Sequence, residues 1–265
     1  VRLVSLGDLL VNGEPIRFID MHGHLGPFNG IYLPDAMIDR MIAGMDRMGM
    51  ECLVLSPHSA LAGDTREGNR EMLDAVQRFP GRIYGYCTIN PNFPADMASE
   101  MDAYLGRPGV AGIKIHPAMH ACPVTDDRYT PMWERAHAER LLVLSHTWGN
   151  DGGCGASDMR KIAERYPDVR LLLGHSCYGA WREAIALAAE FPNVYLELTA
   201  AYHVYGLIEW MCRDAGSKKV LFGSDYPWFD PMAPVGCVAF ARITQDEMQD
   251  ILYDNARRLL DEQLK

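Results

Sequence analysis

The segment from Phe18 to His24, FIDMHGH, puts two imidazoles one residue apart at the end of a short apolar run. In a strand, residues i and i+2 face the same side, so His22 and His24 share a face, roughly 6.6 Å apart at Cα. Neutral imidazole is the commonest metal-ligating side chain, and two at this spacing can converge on one cation. A His-x-His pair also arises by chance in a chain with nine histidines, so this one needs partners elsewhere in the sequence.

The partners sit in comparable places. The other histidines are His58, His116, His120, His137, His146, His175 and His203. Eight of the nine fall at the C-terminal ends of predicted strands or in the loops that follow, and only His137 lies within a predicted helix. The first, fourth, fifth and sixth predicted strands end in His22/His24, His116, His146 and His175, and the eighth ends in Asp225. Imidazoles and one carboxylate brought to one mouth suit a divalent cation such as Zn2+, which accepts mixed N/O ligands and keeps a position open. Such a cation acidifies water and polarises a substrate oxygen, and a neighbouring carboxylate can take the water's proton and pass it on.

The elements that must carry these residues follow one recurring pattern: a β-branched or apolar run, a polar loop, then a helical stretch. The runs are 16–22, 51–57, 82–89, 109–117, 141–147, 169–176, 193–199 and 219–227. Predicted helices include 34–50, opening near Pro34; 65–79, starting on a Thr65 cap; 157–167, opening with Ser157; 180–192; and 244–260, with acids in its first turn and arginines in its last. Eight strands alternating with helices over this length predict an α/β fold, a closed (β/α)8 TIM barrel of one domain over 1–265, with 1–15 as a short N-terminal extension or hairpin. The rival, an open doubly wound sheet, usually carries a G-x-G-x-x-G turn after an early strand, and none is present. In a barrel the active site lies at the C-terminal ends of the strands, where the histidines collect.

Composition narrows the partners. The net charge is −10 with no basic stripe, which argues against nucleic acid, and no apolar stretch approaches the ~20 residues of a membrane span. Seven cysteines without a C-x-x-C predict reduced thiols in a cytoplasmic protein, and no thiolate zinc site.

The combination of IDMHGH, GIKIHP, SHT, GHSCYGAW, FGSDYP and the terminal DNARRLL resembles the amidohydrolase superfamily, and within it the amidohydrolase-related branch that contains aminocarboxymuconate-semialdehyde decarboxylase and hydrolase relatives. The resemblance runs from about residue 16 to 260. It implies a (β/α)8 barrel with one divalent metal ion, most simply Zn2+, with Mn2+ or Fe2+ also suited. It implies His22, His24, His146 and Asp225 as the metal ligands. His175 then acts on water or substrate, and Asp225 also handles the proton. Some binuclear members carry a carboxylated lysine on the fourth strand, so Lys114 is a candidate second-metal bridge. By resemblance the protein is a homodimer.

The substrate is expected to be a small molecule. His116 lies on one strand face with Lys114 and is expected near it, as are Trp148 and Tyr178 from an aromatic set of loop residues. Arg66, Arg128 and Arg182 are candidates for clamping a carboxylate. The leading expectation is metal-assisted hydrolysis of a C–O or C–N bond in a lactone, ester or amide. The alternative is non-oxidative decarboxylation of an unsaturated or aromatic acid on the same site, for which a positioned arginine is the discriminating feature. A barrel that only binds a ligand, and a lactonase that needs no cation, are two further readings.

Overall fold

A computed structural model of the chain describes residues 10–11, 14–149 and 153–264. Eight parallel strands form one sheet in strict sequence order: β1 (Phe18–Leu25), β2 (Met50–Pro57), β3 (Ile83–Thr88), β4 (Val110–Ile115), β5 (Leu142–Trp148), β6 (Arg170–Tyr178), β7 (Val194–Glu197) and β8 (Val220–Leu221). All eight expected runs are strands. Backbone hydrogen bonds then join the first strand to the last: Met21 N–H to Phe222 O (3.0 Å), Asp225 N–H to His22 O (2.8 Å) and His24 N–H to Tyr226 O (2.7 Å). The sheet therefore closes as a barrel, with helices in the crossovers, as expected.

Two apolar layers hold it. Between strands and helices lie Phe18, Leu25, Leu53, Leu55, Ile113 and Leu171 from the strands, with Met41, Met45, Met72, Val76, Met159 and Ala184 from the helices. The barrel interior holds Ile19, Met21, Val54, Tyr86, Leu144, Leu172 and Leu221, together with Ala256, Leu259 and Leu260 of the helix Asn255–Gln263. Apolar residues on both strand faces explain why the runs read as continuous and not as alternating.

The first strand departs from simple alternation. Phe18 and Leu25 share the outer layer although seven residues apart, which a period of two forbids. The register to β2 shifts between Asp20 and Gly23, where one extra residue is accommodated as a bulge. Ile19 and Met21 point inward before it, and His22 and His24 point inward after it. Gly23 faces out against Leu53, where a Cβ would meet Leu53 Cδ1 at 2.6 Å.

Some helix starts differ from expectation. The helix Thr65–Arg78 is capped by Asp64, whose side chain accepts from Arg66 N–H, and not by Thr65. Ala156–Arg165 begins after Gly155 with no side-chain cap. Thr244 makes a capping box with Glu247, but the expected single C-terminal helix is two helices, Gln245–Gln249 and Asn255–Gln263, joined by a π turn at Asp250–Asp254. Within the expected N-terminal extension, Leu10–Val11 pairs antiparallel with Glu14–Pro15, the hairpin alternative; the rest of 1–15 lies outside the described residues. No helix among the described residues is long and apolar enough to cross a membrane.

Candidate metal centre and active site

Each end of the closed seam carries one part of the site. His22 and His24 project from β1, and Asp225 follows β8. Their ligand-type atoms lie within 4.8 Å of one another, the one such group of three or more His, Cys, Asp or Glu among the described residues. Asp225 Oδ1 is 3.2 Å from His22 Nε2 and 3.1 Å from His24 Nε2. Asp225 is held at φ +64°, a costly left-handed conformation for a residue other than glycine, and its own N–H donates to His22 O.

The far side of each imidazole decides what the near side offers. His24 Nδ1 lies 3.1 Å from Ser56 O, a carbonyl that can only accept, so Nδ1 carries the proton and Nε2 presents a lone pair. His22 Nδ1 lies 2.8 Å from Oε2 of the buried Glu197, which fixes the same tautomer. Two imidazole lone pairs and a carboxylate oxygen thus face one point. That donor set fits a divalent cation of mixed N/O preference. The Lys114 ammonium is the positive group already there, with Nζ 2.7 Å from His22 Nε2.

Charge states follow from burial and from these neighbours. Burial, reinforced by Lys114, holds His22 well below its usual pKa, so it is neutral. Burial alone would raise the Asp225 carboxyl, yet it lies well below the usual carboxylate range and stays ionised, and it and the buried Lys114 ammonium favour each other's charge. Burial brings Lys114 down to about 8, opposed by the Asp225 and Glu197 carboxylates. It also brings His175 to about 4 and His116 to about 2, and lowers His146 further, so these rings are neutral near pH 7.

The other expected site residues divide. A cavity of about 260 Å3 at the C-terminal ends of the strands is lined by His22, His24, Lys114, His116, His146, Trp148, His175 and Asp225, among others. His146 lies in its wall but outside the three-residue group: its ring stacks flat on His116 (3.9 Å, 13°) and meets His175 edge-on at 4.7 Å. His175 Nδ1 is buried with no hydrogen-bond partner. Tyr178 does not line the cavity; it stands behind Trp148, stacked at 4.2 Å. Lys114 reaches the group, though as a neighbour of His22. None of the three candidate arginines lines the cavity. Arg66 pairs with Asp64, Arg128 with Asp126, and Arg182 lies over Trp210.

Two residues absent from the sequence-based expectations organise the site. Glu197 grips His22, and Asp20 accepts from the N–H groups of His22 (3.0 Å) and Ser224 (3.2 Å). The available signal was an acid inside an otherwise apolar strand run, in FIDM and in VYLEL. His58 also lines the cavity and packs against Phe28 and Trp228.

An amidohydrolase family model matches residues 19–261, and the chain belongs to that family. No curated protein matches. Among solved structures, an uncharacterised TIM-barrel protein of Bordetella bronchiseptica superposes with a TM-score of 0.79 at 18% identity, over 94% of this chain and 100% of the other. A 5-carboxyvanillate decarboxylase from Sphingomonas paucimobilis gives a TM-score of 0.73 at 18% identity, over 92% and 99%. A dihydroxybenzoic acid decarboxylase from Polaromonas, with bound manganese and the inhibitor 2-nitroresorcinol, gives 0.73 at 18%, over 92% and 96%. At this identity the likeness establishes the barrel. Family membership makes this an amidohydrolase-type enzyme fold.

Proposed function

We propose that the protein is a divalent-cation-dependent hydrolase of a small lactone, ester or amide. The observation that carries this is the convergence of His22 Nε2, His24 Nε2 and Asp225 Oδ1, with both Nδ1 atoms already committed to acceptors. His22, His24 and Asp225 would hold the cation, with His146 in the wall of the same cavity. Bound there, a divalent ion supplies Lewis acidity toward a carbonyl oxygen and acidifies water. Asp225, ionised at neutral pH, takes the proton of the attacking water and returns it to the leaving group. His175, neutral and in the cavity lining, hydrogen-bonds the substrate or the water. His116 and Trp148 supply a flat wall for the substrate body. Zinc and manganese both suit the donor set, and the assay below includes each.

Decarboxylation of a small aromatic or unsaturated acid is the second reading. It is favoured by the buried Lys114 cation in the cavity and by the decarboxylases among the similar structures. Among the described residues no arginine lines the cavity, which favours hydrolysis. The rest of the reading is a single catalytic domain over 1–265, a homodimer, and a reducing, cytoplasmic setting that suits the buried thiols Cys52, Cys87 and Cys177.

The test is metal content followed by turnover. Protein purified without chelator or His tag is expected to hold about one zinc or manganese per chain by elemental analysis, as one three-donor group implies. Two would place a carboxylated Lys114 between them; none, with full activity, would overturn the cation reading. A panel of lactones, esters and amides is then set against hydroxybenzoates and muconate-like acids. Hydrolysis without CO2 supports the first reading, and CO2 without hydrolysis replaces it with the second.

A further inference from the structure

We infer that Glu197 is the positioning residue of this site: one carboxylate sets His22 toward the cation and His175 toward the substrate, touching neither cation nor substrate itself. The inference rests on the reading of His22, His24 and Asp225 as the cation site.

Glu197 ends β7 and is fully buried. Its Oε2 accepts from His22 Nδ1–H at 2.8 Å and from the backbone N–H of His175 at 3.0 Å, and its Oε1 accepts from the backbone N–H of Thr199 at 2.6 Å. Burial pushes the Glu197 carboxyl up and the N–H donors of Thr199 and His175 oppose it, so both of its oxygens are already set as acceptors. An acceptor on Nδ1 has a directional consequence. It places the single proton of the neutral ring on Nδ1 and leaves the Nε2 lone pair aimed at Asp225 and Lys114. The other tautomer would set an Nε2–H against the Lys114 ammonium.

The second task concerns the backbone. His175, Ser176 and Cys177 all lie at positive φ, at 65°, 48° and 50°. Three consecutive residues other than glycine in that region persist only where neighbours hold them. Glu197 supplies two of the holds: its side chain takes the His175 N–H, and its carbonyl takes Ser176 Oγ–H at 2.8 Å. Thr147 Oγ supplies the third by accepting from Cys177 N–H at 2.8 Å. This turn is what brings the His175 ring to 5.1 Å from His22. The room for the carboxylate comes from β8's end, where Gly223 has no side chain; a Cβ there would lie 2.0 Å from Glu197 Oε1.

The experiment compares wild type with Glu197→Gln. A glutamine presents one acceptor and one donor to three N–H groups, so at least one contact turns repulsive while the volume is kept. Zinc and manganese affinity, measured by chelator competition, is expected to fall about 10- to 100-fold. Long-range 1H–15N NMR of the histidine rings, with His22 assigned by its loss in His22→Gln, is expected to show Nδ1–H in wild type and a mixed or Nε2–H form in the variant. A purely structural acid would alter melting temperature and leave that tautomer alone. A folded Glu197→Gln protein whose affinity stays within threefold of wild type overturns the inference and spares the cation site. A wild-type chain that takes up neither metal overturns the cation reading and this inference with it. If the variant does not fold, the wild-type spectrum decides: His22 as Nδ1–H upholds the assignment, and as Nε2–H overturns it.

Discussion

Ser224 and Asp20 fasten the chain just past the last barrel strand to the first one. Ser224 donates its hydroxyl to Asp20 Oδ2 and its N–H to Oδ1 at 3.2 Å, while His22 N–H reaches the same Oδ1 at 3.0 Å. Asp20 stands two residues before one proposed ligand, and Ser224 stands immediately before another. The spacing between His22 and Asp225 is therefore set by this clasp and by the three backbone bonds that close the barrel. Burial pushes the Asp20 carboxyl up to about 8 against the pull of its Ser224 and His22 hydrogen bonds.

Replacing Ser224 with Ala should loosen both fold and site. Asp20 Oδ2 loses its hydroxyl donor, and Tyr226 N–H loses its acceptor, Ser224 Oγ, at 3.1 Å. A cost of about 1–3 kcal/mol is expected from leaving buried polar groups unmatched. Urea unfolding checks the stability and chelator competition checks the cation, whose affinity should fall with it. Unchanged affinity in a destabilised variant would show that the clasp serves the barrel alone.

Acid should weaken the fold, and His58 should account for part of the slope. Its Nδ1 donates to Gly26 O at 2.7 Å and its Nε2 accepts from Trp228 Nε1–H at 2.6 Å, so only the neutral ring satisfies both. Burial, with His24 beside it, takes its pKa down from 6.5 to about 4. The unfolded chain takes up this proton first, as pH falls through about 6.5; the folded chain resists until about 4. Stability from this group is complete above the higher value and is lost as pH drops toward the lower. The loss is about 3 kcal/mol if the full shift is expressed. His175, also lowered to about 4, adds to the same window. Unfolding free energy measured against pH should fall between pH 6.5 and 4, and His58→Gln should remove about one proton from that slope. An identical slope in the variant would assign the acid sensitivity elsewhere.

The sequence made the strands and their C-terminal ends legible because buried parallel strands are continuous apolar runs that stop at polar or glycine-rich loops. It set His22 and His24 on one face at the barrel mouth, but how the first strand presents that face was beyond it. The bulge between Asp20 and Gly23 turns that face inward, and a period-two pattern carries no trace of it. Glu197, and the place of Lys114 beside His22, were hidden for another reason. Their importance lies in contacts with His22 across 175 and 92 positions, which no local pattern encodes. Tyr178 was placed at the correct rim, yet only packing could show that Trp148 stands between it and the cavity.

Cation uptake should release a proton because Lys114 and the cation compete for one face of His22. The ammonium lies 2.7 Å from Nε2, the atom a cation would take, and burial has already brought its pKa down to about 8. An incoming divalent charge lowers it further, so binding expels a proton below pH 8 and none well above it. Apparent affinity should rise by up to about tenfold per pH unit up to that point and then level. Calorimetry in buffers of different ionisation enthalpy counts the proton. Lys114→Met should bind more tightly at pH 7 and lose the release; a variant that still releases it would assign the proton to another group.

Trp148 should govern substrate binding more than turnover. It is 36% exposed at the mouth, with one face on Tyr178 and its ring nearly parallel to His146 at 6.0 Å. Neither contact places it on the three atoms that converge at Asp225. Replacing it with Ala removes an aromatic wall worth about 1.5 kcal/mol beyond its area, so KM should rise about tenfold while kcat changes little. Tyr178→Phe is the control. The tyrosine stands behind Trp148, and among the described residues its hydroxyl meets only His203 Nε2, at 3.4 Å, so both constants should hold. A Trp148→Ala enzyme with KM unchanged and kcat reduced would instead mean that the indole fixes His146 and His175, 5.5 Å from its ring, and would move Trp148 from the substrate wall to the support of the site.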